Sequence, residues 1–178
     1  MPQLELLDGN ALKALQAPLK DRYRQDAQAA VVTLRATGEL DSPGIACRVE
    51  TGRAMIEAGL HPATGGNGMQ ACSGDMLLEA LVACAGVTLK AVATALDFKL
   101  DGGTVSAEGE LDFRGTLGVA KDAPVGFRAI RLAFDLETSE PQERIDTLAK
   151  LTERYCVVYQ TLRSGPPMTL SVAAVAGG

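Results

Sequence analysis

The sequence predicts an α+β fold in which antiparallel strands pack around one long buried helix. Three observations lead there. The run LLEALVACAGVTLKAVATAL (residues 77–96) is apolar almost all the way round a helix, the mark of a helix buried on every side. The stretches TVSAEGELDFR and AIRLAFDLE alternate apolar and polar residues, the period of half-buried antiparallel strands. Strands and helices come in blocks rather than in strict alternation, which separates α+β from α/β.

Residues 1–28 read as an N-terminal helical extension. Leu12, Leu15 and Leu19 recur at near-helical spacing, and Pro18 restarts the helix as a first-turn residue. The main domain then takes residues 29–178. It opens with strand-like runs over 29–36, 45–50 and 53–58, with a turn cluster TGELDSPG after the first and a tight hairpin turn at Thr51-Gly52. A Gly-rich loop holding His61 leads to the long helix, from about residue 74 to 96, with Ser73 as its N-cap and Asp75 in its first turn. In the next two strands Val105, Ala107, Leu111 and Phe113 share one face, as do Ile130, Leu132, Phe134 and Leu136. SEPQERIDTLAKLTERY is a helix with Pro141 in its first turn and Ile145, Leu148, Leu151 and Tyr155 along its inner stripe. CVVYQTLRSGPP holds a second short helical piece, and MTLSVAAV a closing strand.

With 178 residues the chain fits one domain and buries a core without disulfide staples. Aromatic residues are only 4% and Trp is absent, so that core is built from Leu, Val, Ala and Ile. The net charge of −5 and the lack of a basic run exclude tracking of nucleic-acid phosphates. The acidic start MPQLELLDGN has no apolar signal region, which points to the cytoplasm, where thiols stay reduced. The helix over 77–96 is long enough to span a bilayer, but Glu79 and Lys90 lie inside it. Each charge costs roughly 2.5–3.5 kcal/mol at a bilayer centre, so a core helix is expected and no membrane partner.

Four cysteines remain to be explained: Cys47, Cys72, Cys84 and Cys156. Cys72 and Cys84 are 12 positions apart, roughly 15–18 Å if mostly helical, too far for a disulfide, whose Cα atoms lie within about 7 Å. Cys47 reads as a sheet-face thiol and Cys72 as a loop thiol ahead of the helix. Cys156 falls at the break between two helical pieces, where the start of the second would lower its pKa. Cys84 sits mid-helix in apolar surroundings. Spacing alone favours two inert core thiols at 84 and 156 and leaves a reactive pair open. A zinc site from His61, Cys72, Cys84 and Cys156 has no recognised ligand spacing. Gly65-Gly66-Asn67-Gly68 lacks the Gly-Lys-Ser/Thr ending of a phosphate loop.

HPATGGNGMQACSGDMLLEALVACAGVTLKAVATAL resembles the central helix segment of the OsmC/Ohr family, the osmotically inducible and organic hydroperoxide resistance proteins, in which ELLLAALAAC carries the peroxidatic cysteine. ERYCVVYQTL is similar to that family's second-cysteine segment, usually Cys-Pro-Val or Cys-x-Val. The resemblance implies OsmC-like antiparallel sheets around the central helix and, with a helix this apolar, an interlocked homodimer. It implies a thiol peroxidase with Cys84 as nucleophile and Cys156 as its disulfide partner. The substrate would be an organic hydroperoxide held against Ala80, Leu81 and Val87, and the reductant a small dithiol of dihydrolipoyl type. No metal or organic cofactor is implied.

The family also supplies an arginine from its first hairpin and, in the organic hydroperoxide branch, a carboxylate ten residues before the cysteine. Here Arg35 is the nearest candidate, ahead of Arg48 and Arg53. Position 74 is Gly, and Asp75 matches the neighbouring acidic position. Val157 replaces the frequent proline after the second cysteine. These differences set the chain closer to the OsmC-like branch. They also keep an alternative in view: a binding module that holds an apolar small molecule beside Cys84 without turnover.

Overall fold

The computed structural model describes residues 9–39, 48–49, 59–69 and 71–172. The first helix, α1 (Gly9–Gln25), runs unbroken through Pro18, where a restart was expected. A proline inside a helix forfeits one backbone bond; tertiary contacts hold the turns that follow it. Tyr23 is buried with Ala30, Phe113 and Leu117, with Leu19 packed against them, and its hydroxyl donates to the Ala63 carbonyl at 2.8 Å. Side-chain burial outweighs the local penalty.

A 3₁₀ turn over Ala27–Ala30, capped by the Asp26 carboxylate, delays the first strand. That strand, β1 (Val31–Glu39), starts later than expected and absorbs Thr37–Glu39, which read as turn. β2 (Arg48–Val49) pairs antiparallel with β1 at Gly38 and Glu39. The expected run 53–58, the turn at Thr51-Gly52 and Cys47 lie outside the described residues. The sheet has the order β2-β1-β3-β4, with β3 (Gly102–Asp112) and β4 (Phe127–Glu137) joined antiparallel. On β3, Val105 and Ala107 face the core, while Glu108 and Glu110 reach Arg131 on the other face at 3.5 and 2.8 Å. Phe113, expected to close β3, instead opens α3 (Phe113–Thr116), because the Asp112 carboxylate accepts the Arg114 N–H and caps a helical turn. Gly103, at φ +141°, lies so close to the Asp135 backbone that a Cβ would collide with it; only glycine serves there.

The long helix, α2 (Ser73–Ala95), begins one residue earlier than expected: Cys72 holds the N-cap position without a side-chain bond, and Ser73 is already helical. By length and composition α2 could cross a membrane. Here it forms the middle layer of the molecule. Leu78, Leu81, Val82, Ala85 and Leu89 are buried against the sheet on one side and against Leu148 and Cys156 on the other.

Those last residues belong to the third layer, α4 (Gln142–Tyr155) and α5 (Val157–Ser164). Pro141 is the N-cap of α4 rather than a first-turn residue. Its inner stripe runs through Ile145, Leu148 and Thr152; Tyr155, the last residue of the helix, is 56% exposed. The expected closing strand over 168–175 is not formed in its described part. Met168, Leu170 and Val172 are 86–92% exposed, and no neighbouring strand pairs with them among the described residues, leaving a strand without the ladder that would hold it.

The end of α2 is fixed by a Schellman-like turn. Phe98 N–H donates to the Ala93 carbonyl, and Asp97 adopts φ +47°, a left-handed position that Asp tolerates better than most residues. Arg144 of α4 then clamps it. Its guanidinium donates to the Leu96 and Asp97 carbonyls at 2.8 and 3.0 Å, holds Glu140 through a 2.8 Å ion pair, and stacks over Phe98. A cation on orphan helix-end carbonyls satisfies both the acceptors and the dipole. Arg144→Met keeps the apolar stem and removes the donors. It should lower stability by about 1.5–3 kcal/mol, the range for hydrogen bonds to a charged group, read as a fall in the urea midpoint at unchanged m-value.

Candidate active site

Cys84 lies near the middle of α2, on the turn that meets the start of α5. Helix α4 ends at Tyr155, and Cys156 turns the chain with an extended backbone (φ −72°, ψ 107°) before α5 begins. The first N–H groups of a new helix have no partner inside it. Here they face Cys84. Burial pushes the Cys84 thiol up, but the N–H groups of Val158 and Val157, the Cys156 thiol and the Thr88 hydroxyl act on its sulfur as donors and bring it below the ordinary thiol value. Thr88 is i+4 from Cys84 on the same helix face.

Cys156 shows the opposite behaviour. Its side chain is fully buried. Burial, and then the neighbouring Cys84, push its pKa up to about 11, against the N–H groups of Tyr159 and Val158. The helix start does act on Cys156 in the expected direction, through those two N–H groups, but burial outweighs it and Cys156 keeps its proton. The arrangement is a thiolate-forming sulfur and a protonated sulfur in hydrogen-bonding contact. Cys72, Cys84 and Cys156 are all free thiols.

The other expected residues fall elsewhere. Asp75, in the first turn of α2, precedes Cys84 by nine positions, about 13.5 Å along the axis. It faces His61; burial raises its carboxyl and the His61 charge opposes the rise. The His61 ring is held by the Ala63 N–H, which donates to Nδ1 at 3.0 Å, and by a stack on Phe113 with centroids 4.8 Å apart. Position 35 pairs with Glu108 across the sheet. Arg48 lies in β2, and Arg53 lies outside the described residues. Leu81 is buried beneath Cys84, whereas Ala80 and Val87 lie on the exposed side of α2. Among the described residues no group of His, Cys, Asp and Glu could hold a metal.

A cleft of about 550 Å³ opens beside this site. Leu77 and Leu81 of α2, Ile130 and Leu132 of β4, and Tyr159 and Leu162 of α5 form its walls, with Arg128 and Arg163 also lining it. Leu77, Leu81 and Cys84 stand at i, i+4 and i+7, so the cleft ends one helical turn from the thiol. Sequence reasoning missed the donors from Val157 and Val158, the role of Thr88, and this cleft. Thr88 was legible from its i+4 spacing; backbone donors and a cleft shared by three elements leave no residue signature.

A three-layer α+β domain with one thiol mid-way along its buried helix and a second at a helix break against it defines a paired-thiol protein. The chain belongs to the OsmC-like protein family, whose model matches residues 65–171. No curated protein matches the sequence. Among solved structures it is similar to an OsmC-like hydroperoxide resistance protein from Jannaschia sp. CCS1, with a TM-score of 0.59 and 15% identity over 82% of this chain and 95% of that one. At that identity the likeness is one of fold.

The depressed Cys84 pKa has a direct consequence. The thiolate fraction, and with it the alkylation rate, should rise with pH through a midpoint below that of an ordinary thiol, while Cys156 resists until the pH nears its value of about 11. Thr88→Val and Val157→Pro each remove one donor and should move the Cys84 midpoint upward. Iodoacetamide rates followed by peptide mass spectrometry between pH 5 and about 10 check this.

Proposed function

We propose that the protein is a thiol peroxidase that reduces organic hydroperoxides. One observation carries the reading: Cys84, held below the ordinary thiol pKa, is in contact with Cys156, which keeps its proton. The thiolate is the nucleophile in such chemistry. The Cys84 sulfur attacks the terminal oxygen of the hydroperoxide; an S–O bond forms as the O–O bond breaks, giving a sulfenic acid and an alkoxide. The Cys156 proton is the nearest acid for that alkoxide, which leaves as the alcohol. Cys156, now a thiolate, attacks the sulfenic sulfur, the disulfide forms, and hydroxide departs to become water. A small dithiol of dihydrolipoyl type reduces the disulfide by exchange and is itself oxidised to a disulfide. The reaction belongs in the cytoplasm, where such dithiols are kept reduced.

The apolar walls of the cleft support an organic substrate over hydrogen peroxide. Each buried CH₂ contributes about 0.8 kcal/mol, so four give roughly 3 kcal/mol, or about two decades in kcat/KM. Treating the protein with one equivalent of tert-butyl hydroperoxide should yield a Cys84–Cys156 bridge by mass spectrometry. Cys84→Ser should lose turnover, and Cys156→Ser should be oxidised once and then overoxidise. If no bridge forms and Cys84→Ser consumes peroxide as fast as the wild type, the peroxidase reading fails. The cleft then favours the second reading, a module that binds an apolar small molecule without turnover.

The acting unit in this proposal is a homodimer. Leu77 and Val87 leave 37% and 40% of their surface exposed on the central helix, and Met168, Leu170 and Val172 are more exposed still; a partner subunit would cover such apolar side chains. In this proposal Arg35 of β1 is the cation partner of the Cys84 thiolate, and Arg35→Ala would slow the first oxidation. Light scattering at low micromolar concentration should give twice the 18.6 kDa chain mass; a clean monomer counts against the assembly.

A further inference from the structure

The last hydrogen bond of α4 runs from the Cys156 N–H to the Thr152 carbonyl, and the first of α5 from the Gln160 N–H to the Cys156 carbonyl, both at 2.9 Å. In an unbroken helix the next donor in line, the Val157 N–H, would close on the Glu153 carbonyl four residues back. Here that N–H acts on the Cys84 sulfur instead. The Glu153 carbonyl thus loses its helical partner, and the Gln160 side chain supplies another: Nε2 donates to that oxygen at 2.8 Å. The Glu153 carboxylate is held as well, in an ion pair with Arg163. Among the described residues, both polar side-chain ties from α5 back to α4 therefore end on Glu153. Apolar contacts leave the direction of α5 open. None of its residues is buried, and Val158, Tyr159 and Leu162 pack against the core only in part. Such contact is non-directional, and a helix of 8 residues is too short to be stable by itself. A hydrogen bond fixes direction.

We infer that Gln160 is a positioning residue for the thiol pair: by occupying the Glu153 carbonyl, its side chain keeps the Val157 N–H on the Cys84 sulfur. Gln160 touches neither sulfur and acts through one backbone donor. The inference rests on the proposed function only for the use made of the Cys84 thiolate; its readout is alkylation, which involves no peroxide.

The pH profile of Cys84 alkylation by iodoacetamide, measured on the whole protein, tests it. Gln160→Met keeps the stem and removes the donor, so the Val157 N–H returns to Glu153. The Cys84 midpoint should rise by about half a pH unit, seen as about threefold slower alkylation at neutral pH. Gln160→Lys restores a donor and should recover most of the rate. Glu153→Gln breaks the ion pair but leaves the carbonyl in place, and should shift the midpoint less, as an exposed pair is worth little. In a Val157→Pro background the N–H is gone, so Gln160→Met should change nothing further. An unchanged midpoint in Gln160→Met, a shift that adds in full to that of Val157→Pro, or no rescue by Gln160→Lys overturns the inference. So does an equal shift in Glu153→Gln, which would assign the effect to the ion pair, or a lower urea midpoint with an unchanged profile, which would make Gln160 merely structural. The expected shifts without a Cys84–Cys156 bridge after tert-butyl hydroperoxide leave the inference standing and remove the peroxidase reading. A bridge with an unchanged profile does the reverse.

Discussion

A helix of 23 residues with almost no polar face has to be covered on all sides, and the remaining elements are arranged by that need. The sheet takes one side through Val105 and Ala107; α4 takes another through Leu148. Because α4 must lie along α2, the helix break at Cys156 is delivered to the middle of α2, where Cys84 stands. The Arg144 clamp on Leu96 and Asp97 fixes how far along α2 the third layer sits. A slide of one residue would move the contact by about 1.5 Å, enough to lose hydrogen-bond geometry at sulfur. Core packing and thiol chemistry are therefore one constraint here.

The site separates two identical side chains by environment. Both thiols are desolvated, which alone would leave both protonated. The start of α5 offers N–H groups to both, and the symmetry is broken because Cys84 also receives the Thr88 hydroxyl and the Cys156 thiol. Once one sulfur accepts, the other must donate, and each choice reinforces the other. Aliphatic walls and a few aimed backbone dipoles suffice for this.

Much of the architecture was legible from periodicity. The 2-residue alternation of β3 and β4 and the apolar run of α2 are strong because burial enforces them over many residues. Failures cluster where one local interaction decides. Asp112 caps a helical turn at Phe113 where alternation suggested more strand, and the packing of Tyr23 carries α1 through Pro18. For the site, the two cysteines were found through the likeness of their flanking segments, since spacing alone favoured inert thiols. The helix start at Cys156 was legible, but its pull on that thiol is outweighed by burial. Sequence marks where a helix begins, whereas the direction of its first N–H groups depends on how α5 packs against α2.

Val157 occupies the first position of α5. Proline is well suited to that position, because its fixed φ matches the helix and its missing N–H has no partner inside the helix. In this chain the N–H at 157 is one of the groups acting on the Cys84 sulfur. The valine gives up a preorganised bend and supplies an extra dipole to the anion. Tuning of this sort is invisible in the side-chain inventory: an aliphatic residue with no polar atom beyond its backbone sets part of the acidity of a thiol on another helix.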